Sequence, residues 1–521
     1  MTEFIWQPGT TYDDWLVRGD RLRKDVTIES VDLRTPLTLY KSQAKKELSP
    51  GDLPEDVFLI NVPLLSAPMQ SVTGPKTSVE LAKHGGLGVI FCSQPVESEA
   101  EMVRAVKDSK AGFVIPDVFS PNDYIHDVVK RAGEKGYSTF PVTHNGNPDG
   151  KLIGLLTKND FSHAHSGMKV KDRMVPFDRL VYATHEDVGD DLRKANAVLE
   201  DSHHGSIPII DRQGKLKYMV FKKDVREHKS YPIALVDEQK RYKVGAAINT
   251  QDYKRRVPAV LDAGADILFI DSSNGYSDYQ AATLGYITKN FPGVFVIGGN
   301  VGTKEGFDFL VEHGAHGVKL GMGPGSICTT RDKFRIGTAQ ATNVMEVAAR
   351  RDEYLKETGI YVPIISDGGF VFNNHFFISP ALGADSSMAG RFFAQFNESP
   401  TNLVDLKEEH EGHVYTAKAK PYWGEGSERA KAWRKKRYHQ MSEAEGIEGH
   451  VPYAGPMGEE HNLPRTLYHL RTSLQKCGYR DISELHARAK LQLESASSKK
   501  EGKPHDVFAP KMWAPYSAKA W

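Results

Sequence analysis

The sequence predicts an α/β protein built on a closed (β/α)8 barrel, the TIM-barrel fold. Eight short apolar runs recur along the 521 residues, and most are followed by a stretch with the spacing of an amphipathic helix. Continuous apolar runs of this length are typical of parallel strands that are buried on both faces. Eight strand–helix units are the number that closes such a barrel. The runs begin at Val62, Gly86, Lys243, Ala265, Val294, His316, Val362 and Ala384.

The composition is that of a globular protein without a strong net charge. Lys and Arg number 67, as do Asp and Glu, and the mean hydropathy is −0.45. This balance argues against a generic binder of nucleic acid or acidic membranes, and no apolar run reaches the roughly 20 residues that cross a bilayer. Three cysteines, Cys92, Cys328 and Cys477, cannot form a disulfide framework and fit a reducing compartment. We therefore expect a cytoplasmic protein that requires neither a membrane nor a nucleic acid.

The regular spacing breaks after the second run, which predicts an inserted domain over residues 113–228. The barrel is then formed by residues 1–112 and 229–521. Two similar copies within the insertion, starting at Phe140 and Ile207, each read as strand, turn, strand and helix start. The pattern resembles a tandem pair of cystathionine-β-synthase (CBS) modules, which often bind adenine or guanine nucleotides.

The two CBS-like copies differ at the positions expected to bind a nucleotide. In the first copy, the element that holds a ribose and a phosphate in such modules is matched by Gly154, Thr157 and Asp160. In the second, only the aspartate is kept, and the three positions are Tyr218, Phe221 and Asp224. At most one good nucleotide site is expected, and a role as a spacer or docking domain is equally compatible with the sequence.

Functional residues of such barrels lie at the C-terminal ends of strands and in the loops that follow. The clearest of these loops is GMGPGSICTTR, residues 321–331, within an expected active-site loop over 321–340. Three glycines and a proline within five residues predict a backbone that approaches an ion or a phosphate closely. A cysteine at such a place can be activated as a thiolate nucleophile. This indicates Cys328, whereas Cys92 and Cys477 are expected to be buried and inert.

The chain resembles the inosine-5′-monophosphate (IMP) dehydrogenase family over essentially its whole length. Six motifs in the family's order carry the resemblance: IDSS at 270–273, GGN at 298–300, the loop at 321–331, ISDGG at 365–369, MAGR at 388–391 and YWGEGS at 422–427. The resemblance implies NAD-dependent oxidation of IMP to xanthosine monophosphate (XMP), the committed step of guanine nucleotide synthesis. It also implies that the reaction passes through a covalent thioimidate on Cys328.

The resemblance assigns roles to particular residues. The catalytic residues it implies are Cys328, Thr330, Arg437 and Tyr438, the last two on a mobile flap over about 402–458. Those implied for IMP are Met69, Ser326, Asp367, Gly369, Gly390, Arg391, Tyr422, Gly424, Glu425, Gly426 and Glu445. Those implied for NAD are Asp271, Ser272, Ser273, Asn300, Gly321, Gly323 and Tyr279. Asp367 is expected to hold the ribose diol, and Arg391 the 5′-phosphate, which suits a planar guanidinium.

A K⁺ site and a homotetramer are also implied by the resemblance. K⁺ would be bound by the backbone carbonyl groups of Gly323, Gly325 and Cys328 together with residues from the tail of a neighbouring subunit. The tail residues are Glu501, Gly502 and Lys503, where Lys503 stands in place of a usual glycine but keeps its backbone carbonyl.

Two other functions are compatible with parts of the sequence. GMP reductase shares the barrel, the cysteine and the IMP pocket but deaminates GMP to IMP with NADPH; it lacks the flap pair, so Arg437 and Tyr438 favour the dehydrogenase. A catalytically silent, nucleotide-sensing protein is disfavoured by the intact cysteine and aspartates. The chain also departs from the family pattern at Phe334, Arg335, residues 338–340, Ser386 and Ser387.

Overall fold

Eight parallel strands, numbered β1 to β8 in chain order, form the centre of the molecule. They are Leu64–Ser66, Leu87–Ile90, Gly245–Ile248, Ile267–Ile270, Val296–Val301, Gly317–Leu320, Ile364–Asp367 and Ser386–Ala389. They close a barrel in the order β3–β4–β5–β6–β7–β8–β1–β2. Each strand coincides with one of the eight apolar runs, so the predicted barrel is confirmed. The structure, a computed structural model, describes residues 5, 7–109, 117–135, 139–189, 192–202, 204–221, 230–410, 413–430 and 443–504.

Helices α1 to α8 follow the strands of the same number and cover the barrel. They are Pro75–Lys83, Val96–Ser109, Tyr253–Asp262, Asp278–Asn290, Lys304–Glu312, Gln340–Thr358, His375–Ala381 and Leu463–Cys477. Their ends follow ordinary capping chemistry: Ser277 accepts the N–H of Gln280 at the start of α4, and Gly359 ends α6 with φ of 73°. The last of these helices, α8, lies in the C-terminal part of the chain, after the segment that follows β8.

Further elements lie outside the barrel. Two-stranded sheets join Trp15–Arg18 to Lys490–Leu493, Thr35–Pro36 to Leu59–Ile60, and Tyr40–Lys41 to Ile360–Tyr361. The remaining α-helices are Ile125–Lys135, His185–Val188, Leu192–Ser202, Thr330–Phe334, Arg391–Ala394, Ile482–Arg488 and Ala496–Glu501. None of the helices in the described part of the chain is long and apolar enough to cross a membrane.

The hydrophobic core has two layers, one between the strands and helices and one inside the barrel. The inner layer takes apolar side chains from seven of the eight strands: Leu65, Val89, Ala247, Phe269, Ile297, Ile365 and Met388. On β6 the residue in register with Ile365 is Lys319, and its side chain is buried. A buried lysine is costly unless it is paired, so this position indicates a polar site above the inner layer.

The insertion separates two strands that are neighbours in the barrel. Gly245 of β3 pairs with Val89 of β2, although α2 and the whole insertion lie between them in the chain. Lys107, near the end of α2, forms an ion pair at 2.9 Å with Asp266, directly before β4. The end of α2, which precedes the insertion in the chain, therefore lies at the N-terminal ends of the strands, opposite the loop that carries Cys328.

The described residues of the insertion form two three-stranded sheets. Their strands are Thr139–Thr143, Leu152–Thr157 and Val175–Pro176 in the first, and Ala183–Thr184, Ser206–Ile210 and Leu216–Phe221 in the second. The two hairpins contact each other through reciprocal hydrogen bonds, from the Leu152 N–H to the Gly214 carbonyl and from the Leu216 N–H to the Gly150 carbonyl, each 3.0 Å long. The insertion is thus two similar units packed hairpin to hairpin.

The segment after β8, predicted as a mobile flap, contains regular structure in its described part. Three antiparallel strands, Val404–His410, His413–Trp423 and Glu448–Pro452, form one sheet. The predicted flap therefore contains a three-stranded sheet in its described part, and its mobility stays a prediction. Arg437 and Tyr438 lie outside the described residues.

Candidate active site

Cys328 lies in the loop between β6 and the short helix Thr330–Phe334, at the mouth of the barrel. The loop is closed by a hydrogen bond from the Cys328 N–H to the Gly325 carbonyl, 3.0 Å long. Two more backbone hydrogen bonds attach it to the segment before strand Glu448–Pro452, from the Thr329 N–H to the Glu445 carbonyl at 2.9 Å and from the Ile447 N–H to the Ile327 carbonyl at 3.0 Å. The residues around the cysteine are therefore held on both sides.

The side chain of Cys328 begins a short chain of hydrogen bonds. Its half-buried Sγ lies 3.3 Å from Oγ1 of Thr330, and that hydroxyl donates to Oε2 of Glu445 at 2.7 Å. A thiol, a hydroxyl and a carboxylate in this order can pass a proton from the sulfur to the carboxylate. The sequence resemblance assigned Glu445 to the substrate, and the structure brings it to the cysteine through Thr330.

Two glycines of the cysteine loop are required by close packing. A Cβ on Gly321, which has φ of 140°, would lie 2.3 Å from the carbonyl oxygen of Asp367. A Cβ on Gly323, with φ of 87°, would lie 2.4 Å from Cγ of Arg331. A side chain at Gly321 would collide with backbone and one at Gly323 with the Arg331 side chain, and both positive φ values favour glycine. The loop therefore passes directly against the end of β7, where Asp367 stands.

Asp367, at the C-terminal end of β7, is oriented by two buried neighbours. Its Oδ2 accepts hydrogen bonds from Nδ2 of Asn300 at 2.9 Å and from Nζ of Lys319 at 2.7 Å. Lys319 also hydrogen-bonds Oδ1 of Asn300 and lies 3.9 Å from Oδ1 of Asp271. About a fifth of the Asp367 side chain is exposed, which leaves it accessible to a ligand's hydroxyl groups. The sequence analysis missed Lys319, although a lysine inside an apolar strand run was a usable signal.

Glycine-rich turns and one arginine lie beside this carboxylate. Gly368 and Gly369 both have positive φ, 91° and 82°, directly after β7. Gly390 ends β8, and Arg391 begins the next short helix. The Arg391 guanidinium has no hydrogen bond or ion pair with any residue in the described ranges. Backbone N–H groups and a free guanidinium on adjacent strands are suitable partners for a phosphate.

Tyr422 and Met69 pack against Gly390. A Cβ on that glycine would lie 2.8 Å from the Tyr422 hydroxyl oxygen and 3.0 Å from the Met69 sulfur. Burial raises the pKa of Tyr422 to about 12, against the opposing effect of a hydrogen bond with Ser326. The tyrosine is therefore protonated and can donate to a ligand at this place.

The YWGEGS segment is fixed by the loop after β1. Oε1 of Glu425 accepts the backbone N–H of Gln70 at 2.6 Å, and the side chain of Gln70 accepts from the Trp423 indole at 3.0 Å. Backbone hydrogen bonds run from Ser427 to Gly424 at 3.0 Å and from Glu445 to Gly426 at 2.9 Å. Sequence analysis identified Glu425 but not Gln70, whose role depends on this long-range contact.

Four of the residues implied for NAD lie at the ends of β4 and β5, whereas Gly321 and Gly323 lie in the loop after β6 and Tyr279 lies in α4. Asp271, Ser272 and Ser273 follow β4, and the Ser272 hydroxyl donates to the Gly299 carbonyl at 3.1 Å. Asn300, in β5, donates to the Gly321 carbonyl at 3.0 Å, which connects this group to the cysteine loop. At the rim, the Tyr279 ring is more than half exposed and can present an aromatic face to a ligand.

The predicted K⁺ ligands fall in two places. The carbonyl groups of Gly323, Gly325 and Cys328 lie in the loop after β6, whereas Glu501, Gly502 and Lys503 lie at the end of helix Ala496–Glu501 and just after it. That helix is attached to the N-terminal segment through an ion pair between Lys499 and Asp14. A single site made by both groups stays a prediction.

The departures from the family pattern have different structural outcomes. Arg335 adopts a left-handed conformation, with φ of 55°, at the end of the short helix that ends at Phe334. Gln340 begins α6 and donates to the Ser366 hydroxyl at 2.8 Å, so the altered stretch 338–340 still supports β7. The Ser387 hydroxyl lies 3.4 Å from that of Ser379, whereas Ser386 Oγ is buried without a partner in the described part of the chain.

Fold and site together define a (β/α)8-barrel enzyme with a cysteine, a carboxylate and a guanidinium at the mouth of the barrel. The family model described as "IMP dehydrogenase / GMP reductase domain" matches residues 9–505. The chain belongs to this family.

Relatives from distant organisms support the assignment. The inosine-5′-monophosphate dehydrogenase of Tritrichomonas foetus is 40% identical over 517 residues, which is 98% of each chain. Enzymes of the same name are 34% identical in Aquifex aeolicus (strain VF5), over 87% of this chain and 91% of the relative, and 33% identical in Bacillus subtilis (strain 168), over 89% and 93%.

A solved structure shares the fold. A cysteine-to-alanine variant of GMP reductase from Trypanosoma brucei, in complex with guanosine 5′-monophosphate, superposes with a TM-score of 0.77 at 24% identity. The match covers 96% of this chain and 98% of that one. The similarity supports the architecture over nearly the full length.

Proposed function

We propose that this protein oxidises IMP to XMP with NAD, using Cys328 as the nucleophile. The observation that carries the proposal is the hydrogen-bonded series Cys328, Thr330 and Glu445 beside the Asp367 carboxylate. A thiol with a proton acceptor can act as a nucleophile towards a purine ring when neighbouring groups bind the ribose and phosphate of the nucleotide.

The nucleotide would be held by four adjacent strand ends. Asp367 would accept hydrogen bonds from the ribose hydroxyls, since Lys319 and Asn300 already fix its orientation. The phosphate would be bound by Arg391 with the amides of Gly369 and Gly390, together with the hydroxyls of Ser326 and Tyr422. Met69 and residues 424–426 would contact the base. This arrangement directs C2 of the hypoxanthine towards the sulfur of Cys328.

Chemistry begins when the thiol proton passes to the Thr330 hydroxyl, which gives its own proton to the Glu445 carboxylate, and the thiolate attacks C2 of IMP. A C–S bond forms, and C2 must then lose its hydrogen as a hydride. NAD, when bound, accepts that hydride and becomes NADH. Asp271, Ser272, Ser273 and Asn300 suit the nicotinamide riboside, since they are polar groups near the cysteine loop, to which Asn300 is hydrogen-bonded at Gly321.

Hydrolysis of the C–S bond completes the reaction. Water attacks C2, the sulfur leaves with a proton, and XMP is released. Thr330 is placed to orient that water, because its hydroxyl lies between the sulfur and Glu445. Arg437 and Tyr438 are proposed to assist from the flap, but they lie outside the described residues.

A monovalent cation is a further part of the proposal. The carbonyl groups of Gly323, Gly325 and Cys328 lie on a tightly turned loop, and hard cations prefer several oxygen ligands. The Gly325 carbonyl uses one lone pair for the Cys328 N–H and keeps one for K⁺. Glu501 to Lys503 of a neighbouring subunit would complete the set, which fits a homotetramer. K⁺ would hold the loop in shape and take no part in bond changes.

The insertion is proposed to be a CBS pair with one nucleotide site. In the first copy, Oδ2 of Asp160 accepts the N–H and the hydroxyl of Thr157, at 2.7 and 2.6 Å, which fixes the carboxylate where a ribose would bind. In the second copy, the Tyr218 hydroxyl donates to the Gly189 carbonyl at 2.9 Å. An adenine or guanine nucleotide would therefore bind the first copy. The three free cysteines suit a cytoplasmic location.

Absorbance at the NADH band tests the function directly. Purified protein with IMP and NAD should produce NADH only when both are present, and faster in K⁺ than in Na⁺. Cys328→Ser should abolish NADH formation but keep IMP binding, whereas Cys477→Ala, a change at a buried cysteine on α8, should leave the rate unchanged. Consumption of NADPH with GMP, and no NADH from IMP, would instead support a reductase. If neither NADH formation from IMP nor NADPH consumption with GMP is observed, both enzyme functions would be contradicted.

A further inference from the structure

Residues 9–14, near the N-terminus, lie against the loop that follows β7. Tyr12 is buried there, with its hydroxyl oxygen 2.5 Å from Oγ of Ser366. Its ring stacks on Phe370 with centroids 5.1 Å apart. A Cβ on Gly369 would lie 3.3 Å from Cε2 of Tyr12. One tyrosine therefore contacts three of the residues on either side of Asp367.

The hydroxyl of Ser366 joins Tyr12 to the body of the barrel. Its Oγ accepts a hydrogen bond from Nε2 of Gln340 at 2.8 Å, and the same nitrogen lies 3.4 Å from the carbonyl oxygen of Asp367. Burial raises the pKa of Tyr12 to about 12, so its hydroxyl keeps its proton near neutral pH. The strand end that carries the Asp367 carboxylate is thus held by the N-terminal segment and α6 together.

Asp13 reaches the same loop through a histidine. Nε2 of His375 lies 2.9 Å from Oδ1 of Asp13. On the other side of the ring, Nδ1 lies 3.2 Å from the N–H of Val371 and 3.3 Å from the carbonyl of Gly369. When only Nε2 carries a hydrogen, Nδ1 of the neutral ring accepts a hydrogen bond from the Val371 N–H. When both nitrogens carry a hydrogen, Nδ1 of the charged ring donates to the Gly369 carbonyl. In both states the imidazole connects Asp13 to the loop backbone.

The segment has its own support on α6 and on the C-terminal region. The Thr10 N–H donates to Oγ1 of Thr342 at 2.8 Å, and the Thr10 carbonyl accepts the N–H of Ala341 at 3.1 Å. Asp14 forms an ion pair with Lys499. Residues 9–14 are therefore fixed on two sides and can restrict a loop that packs on them.

We infer that residues 9–14 position the phosphate-binding loop, with Tyr12 and Asp13 as positioning residues for IMP. The inference rests on the proposed function, which assigns the 5′-phosphate of IMP to the Gly369 amide in this loop. Gly368 and Gly369 have great conformational freedom, and the Gly369 amide binds a phosphate well only in one arrangement of this turn. Contacts from the buried side select that arrangement before the ligand arrives, which reduces the entropy lost on binding.

Tyr12→Phe tests the inference by removing one hydroxyl and keeping the ring. We expect the dissociation constant for IMP, measured by calorimetry, to rise about 3–10-fold, the range for one lost hydrogen bond. The inhibition constant of ribose 5-phosphate should rise by the same factor, whereas that of inosine, which has no phosphate, should change by less than about twofold. The value of kcat at saturating IMP should also stay within about twofold.

Two further variants separate positioning from general stability. Tyr40→Phe removes a buried hydroxyl that accepts the N–H of Leu48 at 3.0 Å, away from the loop, and should leave IMP binding unchanged. Asp13→Asn changes a half-exposed carboxylate and should weaken IMP about 2–5-fold without affecting inosine. Equal weakening of IMP and inosine, or equal effects of Tyr12→Phe and Tyr40→Phe, would overturn the inference.

The same measurements distinguish this inference from the proposed function. A wild-type protein that does not bind IMP at all would overturn both. Wild-type binding that neither Tyr12→Phe nor Asp13→Asn alters would overturn only the positioning role, because the IMP site would then form without help from residues 9–14.

Discussion

Arg256 is a buried charged side chain that joins the helices before and after the insertion in the chain. It lies in α3, is completely buried, and hydrogen-bonds Glu99 of α2, both carboxylate oxygens of Asp252 at 2.8 Å, and the carbonyl of Gln94 at 2.9 Å. Glu99 is equally buried, and its second oxygen has no partner within the described ranges. The pair connects the helices on either side of the insertion.

Arg256→Met should lower the stability of the barrel substantially. Removing one partner of a buried ion pair costs about 3–5 kcal/mol. Burial raises the pKa of Glu99, so the abandoned carboxyl would take up a proton and the loss should lie near about 3 kcal/mol. For a barrel of roughly 400 residues, whose unfolding entropy is about 0.8 kcal/mol/K, this lowers the melting temperature by about 4 °C.

The assay is thermal unfolding followed by circular dichroism, with two companion variants. Arg255→Met is the matched control, because the neighbouring Arg255 pairs with Glu97 on the exposed surface, where such pairs contribute about 0–1 kcal/mol. Glu99→Leu combined with Arg256→Met should recover most of the loss, since apolar side chains of similar size suit the buried space. A melting temperature for Arg256→Met equal to that of Arg255→Met would refute the reasoning, as would a double variant no more stable than the single one.

Three other predictions concern buried charges. Burial alone would lower the pKa of His486, but the neighbouring Glu47 outweighs burial and raises that pKa. The stabilisation that protonated His486 gains from Glu47 is therefore complete below about pH 6.5 and is lost at higher pH. The difference in melting temperature between wild type and His486→Gln should narrow as the pH rises. Lys319→Met should weaken IMP binding about 10–100-fold in calorimetry, because Asp367 loses its cation, and an unchanged affinity would contradict this. Lys420→Met should cost about 1–3 kcal/mol in urea unfolding, because three backbone carbonyl groups lose one buried donor.

The barrel could be predicted from the sequence because its signal is local. Each strand is a short apolar run, and each is bounded by glycine or polar residues that mark where it ends. The loop around Cys328 is equally local, since its glycines and cysteine lie within eight residues. These features required no knowledge of which distant residues meet.

Long-range polar contacts were beyond the sequence analysis. A lysine at position 319, inside an apolar strand run, is unusual in the sequence. Its partners Asp367 and Asn300 could not be predicted, because they are distant in the chain. Tyr12 and Gln70 carry no motif, and their roles depend on packing against β7 and the YWGEGS segment. The strands after β8 were missed because their polar, alternating pattern is also that of an exposed loop.

The junction between the insertion and the barrel lies away from the proposed active site, so selection can act on the two regions separately. Lys107 and Asp266 mark that junction at the strand starts, while the proposed chemistry uses the strand ends. Four-residue strands span about 13 Å, so no side chain of the junction reaches the cysteine loop. Substitutions in the inserted domain can thus accumulate without changing the residues around Cys328. Because β2 and β3 are adjacent in the barrel, a domain inserted between them can also be gained, lost or exchanged at one place in the chain. The two strands can still pair, and the barrel still closes.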